Sequence, residues 1–318
     1  MFKVLSLFSG VGGIDLPFEK FGFKIIYAND FDSYAVQTYN ENFEVKATLA
    51  DITKVDVKDL PQHDVLIGGF PCQPFSIAGY RKGFDDTRGT LFFNVANILK
   101  EKKPSVIMLE NVKNLVSHDN GNTFEVILNT LKELGYHIKY SVLNACEYGN
   151  MPQNRERIYI VGFLDEEAYR YFDFPEPIRL TKTIFDVIDF DNKVDEKYYY
   201  TSKKYPKIYN EFKKVEAKEG VVYQWRRVYV RANKSGVVPC LTANMGTGGH
   251  NVPLVYTKYG LRKLTPRECF NVQGFPNDFV LPKISDAHLY KQAGNSVCVG
   301  VIERIVENIK IALNKKKN

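Results

Sequence analysis

The chain has 318 residues, 44% of them hydrophobic and 25% charged. That composition excludes disordered and fibrous classes and, at roughly 150 residues per domain, allows about two domains. Lys and Arg number 43 against 37 Asp and Glu, a formal charge of +6; this suits a polyanionic partner, although part of the excess is the solvated run Lys315 to Lys317. No apolar run approaches the ~20 residues that cross a bilayer. The apolar N-terminal stretch also gives way to glycines too soon for a signal-peptide core, so a cytoplasmic protein with no membrane partner is expected. The five cysteines, Cys72, Cys146, Cys240, Cys269 and Cys298, form no C-x-x-C pair and have no histidine at ligand spacing, so neither a disulfide scaffold nor a metal site is expected.

Over the first 165 residues short apolar runs alternate with amphipathic stretches, which predicts a wound α/β sheet. Strands are expected at Val4–Phe8, Lys24–Ala28, Val65–Gly69, Ser105–Leu109, Lys139–Ala145 and Arg157–Phe163. Apolar positions three and four apart predict helices over Ser33–Asn42, Leu91–Lys102 and Thr123–Leu134. From about Pro175 the texture changes to tyrosines, lysines and glycine-rich turns such as Gly246 to Gly249, the mark of a smaller second domain of irregular strands and loops. Cys298, Val301, Ile302, Ile305, Ile309 and Leu313 then follow helical spacing. The expected division is a catalytic and cofactor-binding domain over 1–174, a small domain over 175–285, and a C-terminal segment, 286–318, packing back on the first.

Four stretches carry chemistry. Phe8-Ser9-Gly10-Val11-Gly12-Gly13 follows a predicted strand, and Asp30 stands twenty residues after Gly10 at the end of the next. A backbone turn there can approach a nucleoside while the acid holds ribose hydroxyls. The turn is not G-x-G-x-x-G, so S-adenosylmethionine suits it better than a pyrophosphate; an ordinary βα turn reads the same way. Phe31 suits either an adenine face or the core. Gly68-Gly69-Phe70-Pro71-Cys72-Gln73-Pro74-Phe75-Ser76 holds a cysteine between prolines at a strand exit. That is where wound sheets place ligands, and a thiolate is a strong nucleophile; a lone cysteine is otherwise a small buried hydrophobe. Phe75 stands where a zinc nucleobase deaminase needs its second cysteine. Glu110 ends an apolar strand, placed either to hydrogen-bond a ring nitrogen or to cap a helix. Arg155 and Arg157 alternate onto one face, able to hold a carbonyl oxygen or phosphate, or to form a plain charged loop.

Together with Arg262-Lys263-Leu264-Thr265-Pro266-Arg267-Glu268 and Gly294-Asn295-Ser296, these stretches stand in an order that resembles the bacterial cytosine carbon-5 DNA methyltransferases of restriction-modification systems. The likeness runs from Leu5 to about Ile309 and is weakest over 175–220. It implies a Rossmann-like S-adenosylmethionine-dependent methyltransferase sheet with a smaller target-recognition domain, acting as a monomer on double-stranded DNA, with a companion restriction endonuclease on the same site. By the same resemblance Cys72 is the nucleophile toward carbon-6 of a flipped-out cytosine and Glu110 the group at ring nitrogen N3. Arg157 holds the base carbonyl, with Arg155 beside it near the DNA backbone.

For the cofactor, Phe8, Ser9, Gly10, Gly12 and Gly13 resemble the wall of the methionine pocket. Asp30 matches a ribose-binding acid and Phe31 stands where the family has a stacking tryptophan. Asp51 and Ile52 align with the adenine edge, and Pro71, Leu91, Asn295 and Ser296 complete the pocket. The segment Ala78 to Gly89, with Arg81, Lys82 and Arg88, resembles a mobile loop that closes over the flipped base and touches the phosphates, and Ser76 just ahead of it is expected among the DNA-binding residues. Gln224, Arg226, Arg227 and Tyr229 align with one recognition loop, and Thr242 and Asn244 with a second. Gln224 is then the candidate to fill the gap left by the base, and one of Arg226 and Arg227 the reader of a guanine. The tRNA-modifying branch of the family and a catalytically idle DNA-binding module are the competing readings; the failed glycine fingerprint disfavours a nicotinamide dehydrogenase.

Overall fold

The computed structural model describes residues 1–71, 91–248 and 250–315. The chain divides into two compact units, one of Met1–Leu143, Glu156–Glu176 and Ile302–Asn318, the other of Asn144–Arg155 and Pro177–Val301. The texture change near Pro175 matches one crossing. The others differ from the expected division, because residues 144–155 join the second unit and the return falls at Ile302 rather than at 286.

The first unit is built on β1 (Lys3–Leu7), β2 (Lys24–Asp30), β3 (Thr48–Leu49), β4 (Val65–Gly69), β5 (Val106–Val112) and β6 (His137–Asn144). After β7 (Gln153–Asn154), which belongs to the second unit, β8 (Glu156–Phe163) completes the sheet in the order β3-β2-β1-β4-β5-β8-β6. β1 pairs parallel with β2 and with β4, and β4 parallel with β5. β8 runs antiparallel to β5 over seven residue pairs, Val106↔Phe163 to Val112↔Arg157. Strand order reverses between β1 and β4, the switch point where open α/β sheets bind ligands beyond their carboxyl ends. The near-continuous burial of β1, β4 and β5 accounts for their uninterrupted apolar runs. Their side chains, among them Leu5, Leu66 and Ile107, pack with Phe92, Leu99 and Leu131 from the helices Leu91–Lys102 and Asn122–Glu133.

β1 stops one residue short of the expected end because Phe8 adopts φ +52°, a left-handed conformation that turns the chain out of the sheet. α1 (Asp15–Lys20) follows the glycine turn, and α2 (Ser33–Asn42) is capped by Asp32, whose carboxylate accepts from the Tyr34 and Ala35 amides. β5 runs through Glu110 to Val112, so Glu110 is a strand residue and caps no helix.

In the second unit β9 (Val222–Trp225), β10 (Val230–Asn233), β12 (Leu254–Thr257) and β13 (Gly260–Lys263) form an antiparallel sheet in the order β10-β9-β12-β13, while β11 (Val238–Pro239) pairs parallel with β7. Tyr200, Tyr223, Phe212 and Leu254 form its core. Arg262, fully buried, makes a two-pronged ion pair with Glu268 at 2.8 and 2.7 Å, and Glu268 also accepts from the Thr265 and Asp189 amides. The helix Asp286–Asn295 stays in this unit because glycines admit close contact: a Cβ on Gly246 would meet the Ala287 carbonyl at 2.2 Å and one on Gly294 the Thr242 backbone at 2.2 Å. No helix among the described residues is long and apolar enough to cross a membrane.

Candidate active site

At the carboxyl edge of β1 and β2, Phe8, Asn29, Asp30, Phe31, Leu49, Ala50, Asp51, Ile52 and Leu91 line a cleft of about 460 Å³, within the ~300–1,000 Å³ of small-molecule sites. Phe8, Asp30, Phe31, Asp51, Ile52 and Leu91 are residues that the sequence singles out for a cofactor. The Asp30 carboxyl, raised above its ordinary value by burial, receives 2.9 Å hydrogen bonds from the Gly10 and Asp32 amides. Gly10 (φ +55°) and Gly12 (φ +85°) shape the turn that delivers the first of these amides. A carboxylate offers about four acceptor sites, so capacity remains for ligand hydroxyls. Phe31 is 70% exposed, so its ring is turned to solvent rather than to the core. Asp51 caps a short turn, held by the Thr53 amide and hydroxyl, which lower its pKa.

Two acids, an exposed ring and an apolar wall fit a nucleoside carrying a cationic centre. No lysine or arginine lines the cleft among the described residues. Sequence reasoning missed Asn29, Leu49 and Ala50. Asn29 donates to the Ala50 carbonyl at 3.0 Å and thereby ties β2 to the chain beyond β3; its position beside Asp30 at a strand end was the available signal. Ser9 turns its hydroxyl inward to the Asn29 carbonyl, 3.2 Å away.

On β5, in the same unit, Glu110 meets Arg157 of β8, Nε to Oε1 at 3.2 Å, with both side chains largely buried. The register sets Glu110 beside Gly69. A Cβ on Gly69 would stand 3.0 Å from Glu110 Oε2, so the glycine makes room for the carboxylate. Asn111 donates to the Phe70 carbonyl at 2.8 Å and holds the chain just before Pro71, itself exposed. Gly69 and Asn111 were also missed, and only three-dimensional pairing reveals them. Cys72, Ser76, Arg81 and Arg88 lie outside the described residues.

Arg155 and Arg157 have different surroundings. Arg155 belongs to the second unit and is 2% exposed, its guanidinium donating to the carbonyls of Leu241 (2.8 Å), Gly294 (3.1 Å) and Ser296. Arg155 thus braces the loops that carry Leu241 and Ser296, whereas Arg157 turns to Glu110. Asn295 and Ser296, expected in the cofactor pocket, lie in this second unit at the end of the helix Asp286–Asn295.

The β9–β10 hairpin turns through Arg226 to Tyr229, closed by Arg226 N–H to the Tyr229 carbonyl at 2.9 Å, with Arg227 at φ +68°. Val228 and Tyr229 are 65% and 50% exposed at its tip. Arg231, across the ladder from Gln224, donates to its Oε1 at 2.6 Å. Thr242 and Asn244 sit exposed on a second turn, linked hydroxyl to carboxamide.

Comparisons with known proteins identify the family and the fold. A type II methyltransferase, M.Bsp6I of Bacillus sp. (strain RFL6), is 58% identical over 97% of this chain and 98% of its own length. M.HhaI of Haemophilus parahaemolyticus is 43% identical over 99% and 96%. Among solved structures, a DNMT2 variant of Spodoptera frugiperda superposes with a TM-score of 0.75 at 22% identity, covering 98% of this chain and all of that one, and S. pombe Dnmt2 with 0.74 at 20%, covering 98% and 99%. The family profile described as C-5 cytosine-specific DNA methylase matches residues 2–311, and on that match, with these relatives, the chain belongs to the C-5 cytosine-specific DNA methylases.

Proposed function

We propose that the chain is a type II, restriction-modification methyltransferase that methylates carbon-5 of a cytosine flipped out of duplex DNA, with S-adenosylmethionine as donor and Cys72 as covalent nucleophile. The observation that carries the reading is the buried Glu110–Arg157 pair beside Gly69, at the end of the strand that leads into Pro71-Cys72. Asp30, Phe31 and Asp51 would hold the adenosine end of the cofactor. When bound, S-adenosylmethionine supplies an electrophilic methyl group on a sulfonium sulfur.

The residues of the chain do the rest. Carbon-5 of cytosine is a poor nucleophile until the ring gains electron density. The Cys72 thiolate forms a bond to carbon-6 while Glu110 protonates N3, and carbon-5 becomes enamine-like. Arg157 orients Glu110 and holds the base carbonyl. Once carbon-5 has been alkylated its proton passes to a water molecule, N3 returns its proton to Glu110, and the sulfur–carbon-6 bond breaks to release the Cys72 thiolate and restore aromaticity, so one hard step is divided into easier ones. A stacked base is out of reach, and extrusion costs a few kcal/mol. Gln224 fills the gap, Arg226 or Arg227 reads a guanine, and Tyr229, Thr242 and Asn244 line the approach. Ser76, Arg81 and Arg88 close over the base and its phosphates. In the cell the companion is a restriction endonuclease cutting the same site, and the enzyme works as a monomer in the cytoplasm.

The test is a duplex carrying 5-fluorocytosine at a site mapped by bisulfite sequencing, incubated with S-adenosylmethionine. A denaturation-resistant adduct with the wild type and none with Cys72→Ala supports the reading. Methylation that persists in Cys72→Ala overturns the nucleophile, and transfer to tRNA but not to duplex DNA overturns the substrate.

A further inference from the structure

Asp15, the first residue of α1, is fully buried and has no part in the chemistry above. Its two carboxyl oxygens are each engaged: Ser6 of β1 donates at 3.1 Å and Tyr39 of α2 at 2.9 Å. The Tyr39 ring stacks on Phe43 with centroids 4.1 Å apart and planes within 19°. That stack lies directly behind the glycine turn, since a Cβ on Gly12 would fall 2.2 Å from the Phe43 ring and 3.2 Å from that of Tyr39. The same turn presents the Gly10 amide to Asp30. A line of contacts thus runs from a buried acid through the glycine turn to Asp30, which lines the cleft.

We propose that Asp15 is a positioning residue for the cofactor: by clamping Tyr39 and β1 together it presses the Tyr39–Phe43 stack against Gly12 and sets the height of the Gly10–Gly13 turn under the ligand. This rests on the reading of the cleft as an S-adenosylmethionine site. An acid is used here where a leucine would fill space because two hydroxyls on different elements must be held at once, and each buried hydroxyl left unmatched is costly. Ser6 and Tyr39 face the carboxyl from β1 and α2, and Glu19, one turn further along α1, is the charged neighbour that acts on it; burial together with Glu19 pushes its pKa up to about 7. The hydrogen bonds from Ser6 and Tyr39 act in the opposite sense and favour the charged form.

Isothermal titration of the full chain with S-adenosylmethionine, without DNA, reads the brace directly. Tyr39→Phe, which keeps the ring and loses only its grip on Asp15, raises Kd roughly three- to tenfold, and Asp15→Ala raises it further. In steady-state assays KM for the cofactor rises while kcat stays within about twofold, a split that general loosening of the fold does not produce. If Asp15→Ala fails to fold, Tyr39→Phe alone decides. Folded variants that bind within twofold of wild type overturn the inference. Asp30→Ala separates the two levels: loss of binding there with normal binding in Tyr39→Phe defeats the clamp alone, while a wild type that does not bind the cofactor defeats the cleft reading and the clamp with it.

Discussion

Phe31 offers the sharpest separation of ligand binding from stability, because its ring is 70% exposed while lining the cleft. Taking ~200 Å² for a phenylalanine side chain, the exposed part is ~140 Å², and an adenine stacked on one face covers about half of it. At ~25 cal/mol per Å² the ~70 Å² removed from water is worth about 1.8 kcal/mol, roughly a twentyfold change in Kd, inside the ~1–3 kcal/mol measured for base–aromatic stacking. Phe31→Ala therefore weakens S-adenosylmethionine binding about twentyfold by calorimetry and leaves the melting temperature within about a degree, since the ring has little to lose in the free protein. Phe31→Trp, with a larger face, binds more tightly than wild type. Binding of Phe31→Ala within twofold of wild type refutes the stacking argument. A drop in melting temperature matching the loss of affinity refutes the premise that the ring serves the ligand.

Other predictions concern the scaffold and DNA reading. Glu268→Ala strips four hydrogen bonds and leaves the Arg262 charge buried and uncompensated, which costs ~3–5 kcal/mol; urea unfolding followed by tyrosine fluorescence measures it, and a loss under ~1 kcal/mol contradicts the buried-pair account. Asp15, at about 7 in the native state against an ordinary 3.8, keeps a proton that the unfolded chain gives up. Its stabilising contribution is complete below about pH 4 and is lost as pH rises through about 7. Asp15→Asn thus gains on wild type by on the order of 4 kcal/mol between pH 4 and pH 8, and parallel stability curves over that range rule this out. Replacing Arg226 or Arg227 by alanine relaxes methylation at one guanine of the site by about 1–3 kcal/mol of discrimination, scored by methylation profiling, and a profile with no guanine preference in the wild type removes the assignment.

The parts of the fold legible in sequence are those where a continuous apolar run or a single apolar face marks the element. β4 and the helices Ser33–Asn42 and Leu91–Lys102 fall where the apolar spacing puts them. The antiparallel run of β8 was hidden because a strand buried on both faces carries the same apolar signature whichever way it points. Phe8 ended β1 early because a left-handed phenylalanine has no compositional signal. At the site the acids and the exposed ring of the cleft were readable as residue types at strand ends. Gly69 was not, because its role is to leave space beside a carboxylate 41 residues away in sequence. Arg155 looked like an anion-binding side chain because sequence cannot show that backbone carbonyls 86 to 141 residues distant use its donors.

Residues 144–155 have a consequence for anyone wishing to exchange the second unit of this chain. Their β7 strand pairs with β11, Gln153 bonds Gln273 at 3.0 Å, and Arg155 secures the strand's neighbours in the same unit. A chimera spliced at 177 and 301 alone would import a foreign second unit while leaving behind the short native segment that pairs within it, with a guanidinium sealed among mismatched loops. The transferable cassette is therefore discontinuous, and the dodecapeptide that precedes β8 has to travel with it.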